Sequence, residues 1–281
     1  MSAAAGPPKV LAGRYQLERI LGAGGMGVVY RARDLLHEAF GEPDCRVALK
    51  LLSETLSAST DAHVLLYSEF ALTRSLRHDH VVRAFSFEVD TAHQVAFFTM
   101  ELMPGLTLDR VLPECPQGLP WQELQPMALQ LLDALAYTHR QGVLHGDVKP
   151  ANIMVGEQGV RLFDFGLGHA QAQAEAGLPG LSRNRLNAWT PAYAAPELMA
   201  GGLPSASADL YGAARVLYEM AEGRRPVERQ RNQRLPRPRQ LPRQYWPLLS
   251  SALAMDPEQR TVDVAELCEG LAARRCLWFM G

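Results

Sequence analysis

Residues 145–152, His-Gly-Asp-Val-Lys-Pro-Ala-Asn, set an aspartate, a lysine two positions on and an asparagine five positions on. The Asp147 carboxylate can accept the proton of an attacking hydroxyl. Lys149 can neutralise charge on a phosphoryl group in transfer. Asn152 and Asp164, the latter in Phe163-Asp164-Phe165-Gly166, offer oxygen ligands that suit Mg²⁺ (or Mn²⁺), an ion that takes few protein oxygens beside phosphate and water. Each residue alone also has a structural reading, as a turn aspartate or a capping asparagine. The ordered set, with Ala195-Pro196-Glu197 behind it, points to phosphotransfer.

Two stretches upstream fit the same chemistry. Gly22, Gly24, Gly27 and Val29 form a GxGxxGxV pattern, in which glycines let a backbone approach phosphate oxygens. Gly-rich hairpins also occur for purely structural reasons. These glycines lie between two strand-like runs rather than between a strand and a helix, which argues against a dinucleotide-binding or Walker-type loop. Lys50 closes the apolar run Val47-Ala48-Leu49. It either reaches the surface along its stem or stands as a fixed positive charge for phosphates. In the second case it needs an acidic partner, and Glu69 is the candidate, its alternative being a solvated helix face.

The elements that would carry these residues change character along the chain. Residues 1–12 are small and Pro/Gly-rich and read as a flexible tail. From Tyr15 to Met103 the text is mainly strand-like: "YQLERIL" and "MGVVYRAR" form a hairpin, then come "CRVALKLL" and "QVAFFTMELM", with "DLLHEAFGEPD" a connecting loop. One helix interrupts them over "DAHVLLYSEFALTRSLRH", where Val64, Ala71, Leu72 and Leu76 can share a stripe. After Pro104-Gly105 the pattern is helical. Leu124, Ala128, Leu131 and Leu135 recur at helical spacing and Gly142 ends the run, and "ADLYGAARVLYEMAEG" and "VDVAELCEGLAARR" are two more helices. The architecture implied is α+β, a β-rich small lobe followed by an α-rich large one.

The 281 residues allow two lobes and little more, and 47% hydrophobic with 21% charged residues is an ordinary globular balance. A net charge of −2 gives no general pull toward nucleic acid or an anionic membrane. No apolar run reaches the length of a membrane span, and the N-terminus lacks the pattern of a secretory signal, so the expected location is cytoplasmic. Cys45, Cys115, Cys268 and Cys276 form no CxxC pair and read as inert thiols. His78 and His80 have no third ligand at metal spacing, and read as loop or helix-end residues.

Taken in order, these motifs make the chain resemble a bacterial Ser/Thr protein kinase of the eukaryotic-like type, over about residues 13 to 275. The resemblance implies a bilobal protein-kinase fold, with an N-lobe about 13–103, a C-lobe about 104–275 and a short tail at 276–281. It implies ATP between the lobes, its adenine against Val29, Ala48 and Met154, with backbone hydrogen bonds from Glu101 and Met103 behind a gatekeeper Met100. Lys50, oriented by Glu69, would hold the α- and β-phosphates, Asn152 and Asp164 the metal, and Asp147 the substrate hydroxyl. Thr190 matches the threonine that bonds near Asp147 and Lys149. Asp209 matches a loop-anchoring aspartate, and Arg260 a partner of Glu197. The substrates implied are proteins with Ser/Thr acceptors. Autophosphorylation is expected as well, with Ser182 a candidate acceptor.

Two alternatives share parts of this pattern. Small-molecule phosphotransferases of the aminoglycoside and choline kinase type also use His-Gly-Asp, but typically lack the Gly-rich signature, Ala-Pro-Glu and the lysine after the aspartate. A pseudokinase scaffold would normally have lost one of Lys50, Asp147 and Asp164. Gly146 stands where many protein kinases carry an arginine that a phosphorylated activation segment offsets. The expectation is a live kinase that depends little on such phosphorylation, with control from expression, a partner or an opposing phosphatase. Residues 224–243 hold eight arginines against one glutamate, read either as a solvated loop or as a docking patch for an acidic partner.

Overall fold

The computed structural model describes residues 9–24, 27–52, 60–166, 169–170, 190–225 and 235–273. Ser182, Cys276 and residues 226–234 of the arginine-rich stretch lie outside them. The chain divides into two compact units, the first of residues 1–77 and 82–103, the second of 78–81 and 104–281.

The first unit is built on a six-stranded antiparallel sheet in the order β1-β2-β3-β4-β6-β5, from Val10–Leu11 (β1), Tyr15–Gly24 (β2), Gly27–Asp34 (β3), Arg46–Leu52 (β4), Ala84–Asp90 (β5) and Val95–Met100 (β6). Leu11, Tyr15, Ala32, Val47, Leu49, Leu51 and Phe97 form its core. Val10 and Leu11 belong to this sheet, and Ala12 to the turn that follows, rather than to a loose tail. Leu11 is fully buried, and the Ala12 amide donates to Asp90 Oδ2 at 2.8 Å. That amide, with the ring and amide of His93, holds the Asp90 carboxyl down to about 2.

Two readings of this unit need correction. The stretch after β3 is not all loop, because Leu35–Ala39 (α1) is helical. Asp34 caps it, accepting the Leu36 and His37 amides at 3.1 and 3.4 Å, while its carboxylate also takes Arg14. In Thr60–Ser75 (α2) the buried face runs through Ala62, Leu66, Glu69, Phe70 and Thr73, with Leu72 beside them and Leu76 just past the helix end, whereas Val64 is exposed. The stripe is therefore turned from the expected one, and it includes a glutamate.

The second unit is mainly helical: Leu108–Val111 (α3), Trp121–Arg140 (α4), Pro196–Met199 (α5), Ala206–Glu222 (α6), Trp246–Ala252 (α7) and Val264–Ala272 (α8). Leu124, Ala128, Leu131 and Leu135 of α4 are all buried, and Gly142 follows the helix at φ 70°. Nearly every residue of α6 is buried, with α4 and α7 packed against it and α8 packed in turn on α4. Among them run short strands that sequence pattern does not reveal. Leu106–Thr107 (β7), Ile153–Gly156 (β9) and Gly159–Leu162 (β10) form one sheet, and Val143–Leu144 (β8) pairs with His169–Ala170 (β11). Residues 78–81 join this unit. The His78 ring stacks on Tyr137 at 4.9 Å and meets Asp133 Oδ2 at 3.1 Å. Leu162 donates its amide to His80 O at 2.9 Å. Both histidines are thus structural. Cys45, Cys115 and Cys268 are free thiols. Among the described residues no helix is long and apolar enough to cross a membrane, and no three His, Cys, Asp or Glu side chains cluster as a metal site.

Candidate active site

In the first unit the glycines sit at the paired ends of β2 and β3, Gly22 opposite Val29 and Gly24 opposite Gly27. A Cβ at Gly27 would lie 2.2 Å from Leu51 O, so glycine there lets β3 approach β4. Among the described residues an added Cβ at Gly22 or Gly24 meets nothing within 4 Å, so none of them requires glycine at those two positions.

Val29 faces Lys50 across the β3–β4 pair, and Ala48 faces Met100 across β4–β6. Lys50 is 6% exposed and its Nζ reaches Glu69 Oε1 at 2.6 Å, with Glu69 4% exposed. The surface readings of both residues are thereby overturned. Burying this pair is costly unless each charge has a partner, and the contact fixes the ammonium at a defined point of the sheet. The Glu101 amide is committed to Arg83 O at 2.9 Å, so any hydrogen bond that Glu101 offers an adenine comes from its carbonyl. Met103 follows, partly exposed, at the end of this unit.

The second unit brings the remaining residues together around the loop after β8. Asp209, 3% exposed on α6, holds that loop from beneath. Its carboxylate accepts the His145 amide through Oδ2 and the Gly146 amide through Oδ1, both at 2.8 Å, and meets His139 Nε2 at 3.0 Å. Gly146 lies at φ 81°, a left-handed conformation that glycine adopts without steric cost. The fully buried His145 ring packs 4.7 Å from Phe165, and its Nε2 contacts Phe163 O at 3.1 Å. From sequence His145 is only the first residue of the His-Gly-Asp motif, with no role of its own; the structure makes it a packing partner of Phe165 and a contact of Phe163 O.

Asp147 and Lys149 face each other, Oδ2 to Nζ at 2.5 Å. Lys149 Nζ also donates to Thr190 Oγ1 at 3.0 Å, which draws residue 190 in over 41 positions of sequence. Burial pushes the Asp147 carboxyl above the ordinary carboxylate range. Lys149 and His145 oppose that push, and the Asp164 charge adds to it. Asn152 is 4% exposed, and its Nδ2 donates to Asp147 O at 2.9 Å. With the amide nitrogen so committed, the side-chain oxygen is the atom left to serve as a ligand. The Phe163 amide donates to Asn152 O at 3.0 Å, setting Asp164 beside it, at φ 67°. One amide oxygen and one carboxylate form a donor set that fits Mg²⁺. Met154 lies on β9 opposite Thr107 and Arg161, partly exposed.

Behind this loop Glu197, at the start of α5, forms a two-pronged ion pair with Arg260 at 2.6 and 2.8 Å. The Tyr193 hydroxyl donates to Glu219 on α6. Glu219 was not foreseen, since nothing in its local sequence marks it.

The family model described as "Protein kinase domain" matches residues 15–270. Serine/threonine-protein kinase PkaA of Streptomyces coelicolor is 34% identical over 270 residues, covering 88% of this chain and 47% of the relative. Serine/threonine-protein kinase PknE of Mycobacterium bovis is 33% identical, covering 91% and 45%. This chain spans less than half the length of either. Among solved structures the PknI kinase domain of Mycobacterium tuberculosis aligns with a TM-score of 0.69 at 27% identity, over 95% of this chain and 98% of that one.

Proposed function

We infer function from one premise: this chain belongs to the protein kinase domain family. The reading drawn from it is a Ser/Thr protein kinase that transfers the γ-phosphate of ATP to serine and threonine hydroxyls of proteins. The observation that carries it is the Lys149 ammonium held between Asp147 and Thr190, with Asn152 donating to the Asp147 carbonyl.

Within this reading, Asp147 orients the substrate hydroxyl and receives its proton. Lys149 offsets charge on the transferring phosphoryl group, and Thr190 keeps that ammonium in place. Lys50, fixed by Glu69, binds the α- and β-phosphates, and Gly22 and Gly24 leave room for phosphate oxygens near the backbone. Val29 and Ala48 would receive the adenine, with the Glu101 carbonyl and the Met103 amide as its hydrogen-bond partners. Asn152 and Asp164 would hold Mg²⁺, which when bound neutralises phosphate charge.

The test is transfer of labelled phosphate from ATP to a protein mixture, with and without Mg²⁺. The expected result is metal-dependent phosphoserine and phosphothreonine, on the chain itself as well as on added protein. Mainly phosphotyrosine would overturn the acceptor assignment, and label on small alcohols alone would favour a small-molecule phosphotransferase. Binding of ATP without transfer would favour a scaffold.

Gly146 leads to a second expectation. An arginine there would place a charge beside Asp147 that needs an offsetting anion, and phosphate on the segment can supply one. Glycine removes that need, and the loop is already tied down by both Asp209 oxygens. Enzyme treated with phosphatase, and Ser182→Ala, should therefore keep activity on an external protein within about tenfold of untreated enzyme, tenfold being ~1.4 kcal/mol in the barrier. A larger loss that rephosphorylation restores would show the switch to be intact.

A further inference from the structure

Two carboxylates at the end of α6 support a row of arginines instead of facing water. Glu219 and Glu222 are each 7% exposed. Glu219 accepts the Tyr193 hydroxyl through Oε2, and its Oε1 has Arg225 Nε at 3.6 Å. Glu222 Oε1 lies 3.4 Å from Arg224 Nη2 and 3.3 Å from Arg239 Nε, while its Oε2 accepts the Arg239 amide at 3.0 Å. The arginine side chains are outside, 71%, 64% and 48% exposed for Arg224, Arg225 and Arg239. A buried carboxylate covered in this way presents little negative charge of its own. What meets solvent is guanidinium.

This row is linked through Tyr193 to the Thr190–Lys149 contact. The Arg225 guanidinium carbon is 5.8 Å from the centre of the Tyr193 ring. The Tyr193 amide donates to Thr190 O at 3.0 Å, and Thr190 carries the Lys149 ammonium. A Cβ on Gly212 of α6 would lie 3.0 Å from Val148 O and 3.6 Å from Tyr193 O, so the neighbour of Asp147 and the turn of Tyr193 rest on the same point of that helix. Glu219 comes two turns later, about 10 Å along the axis at ~1.5 Å per residue. That is the length of about three residues of extended polypeptide.

We propose that Arg225, with Arg224 and Arg239 beside it, selects protein substrates that carry aspartate or glutamate about three residues from the acceptor hydroxyl. This rests on the protein-kinase reading above. Arginine suits the task because its planar fork matches the two oxygens of a carboxylate. The buried glutamates do not cancel the preference. They fix the position of the guanidiniums, which reduces the side-chain freedom lost when a substrate binds. If Glu219 itself were the reader, with Arg225 moving aside, the preference would be for basic substrates. The sign of the preference therefore separates the two.

The experiment uses two serine peptides that differ only in glutamate or lysine at the flanking positions, and reads both kcat/KM and binding of the labelled peptide by anisotropy. The glutamate peptide is expected to be favoured about fivefold or more at low salt, the scale of one or two exposed ion pairs. The ratio should shrink toward unity as salt rises. Arg225→Glu should reverse it while leaving the KM for ATP alone. Parity between the peptides, a preference for lysine, or an unchanged ratio in Arg225→Glu overturns the proposal. Peptide phosphorylation without acidic preference sinks the recognition surface alone. Acidic-peptide binding that tracks Arg225 without any phosphate transfer sinks the catalytic reading and leaves the surface standing.

Discussion

Asp147→Ala and Lys50→Met are each expected to slow phosphate transfer on the order of 10²-fold or more. For Asp147 the loss falls on kcat, because the residue orients and deprotonates the acceptor. For Lys50 it falls on both kcat and the KM for ATP, because the ammonium grips phosphates in the ground state and through the transfer. Lys50→Met also leaves Glu69, 4% exposed, without the cation it contacts at 2.6 Å. The double variant Lys50→Met with Glu69→Gln therefore separates lost folding stability from lost chemistry. The pH profile gives an independent reading. Burial raises the Asp147 carboxyl above the ordinary carboxylate range, and a base must be ionised to work. Activity should be complete above that raised value and fall as pH drops through it, so the acid limb of kcat/KM stands higher than a solvated aspartate would place it. Asp147→Ala should lack this limb in its residual rate. Wild-type rates in either purified, folded variant would remove these residues from the mechanism.

The site was more legible in the sequence than the packing around it. Phosphotransfer needs a base, a cation and metal-binding oxygens, and few residue types supply them. Asp147, Lys149, Asn152 and Asp164 could therefore be picked out by type and spacing, and the structure brings the first three into mutual contact. Helix α6 was visible for a similar reason, as a long apolar run. In α2 the periodicity was ambiguous. Val64 and Leu72 could share one face, but the buried face passes through Glu69 and Thr73, which a hydrophobic pattern counts as polar. Helix α1 was missed because five residues cannot show a period. It exists because Asp34 is both an N-cap and the partner of Arg14, twenty residues earlier. Strands of two to four residues such as β7 and β9 fail in the same way. The link from Tyr193 to Glu219 joins positions 26 apart, and no local spacing rule reaches that far. The arginine-rich stretch, expected to be either solvated or a docking patch, is in its described part neither freely solvated nor wholly occupied. Arg239 is tied to Glu222 and to Gln117 Oε1 at 2.5 Å, yet stays half exposed.

Glu197→Ala is expected to destabilise the second unit by about 3–5 kcal/mol, the usual cost of removing one partner from a buried ion pair. The Arg260 side chain is 1% exposed. Besides Glu197 it donates from Nη1 to Ser207 O and Oγ at 3.0 Å each and from Nε to Ala254 O at 2.9 Å, with its guanidinium 4.9 Å from the Tyr211 ring centre. Those partners are neutral. Without Glu197 a full positive charge stays in the interior, because arginine does not give up its proton. At roughly 2–4 °C per kcal/mol for a unit of this size, the melting midpoint of this unit should fall by about 10 °C. Glu197→Gln keeps one of the two acceptor oxygens that Arg260 uses and sets an amide NH2, a donor, against its other nitrogen, so its shift should lie between the wild type and Glu197→Ala. Pairing Glu197→Ala with Arg260→Met removes the stranded charge and should recover part of the loss, a non-additivity that a merely local packing defect would not produce. The effect reaches function through the chain itself. Thr190 and Tyr193 lie within seven residues before Glu197, and the pair anchors the end of the segment that carries the Lys149 partner. Activity should thus decline in Glu197→Ala at temperatures below its melting midpoint, through kcat more than through the KM for ATP. A melting shift under about 2 °C, or full additivity in the double variant, would show that the pair is not what holds this segment.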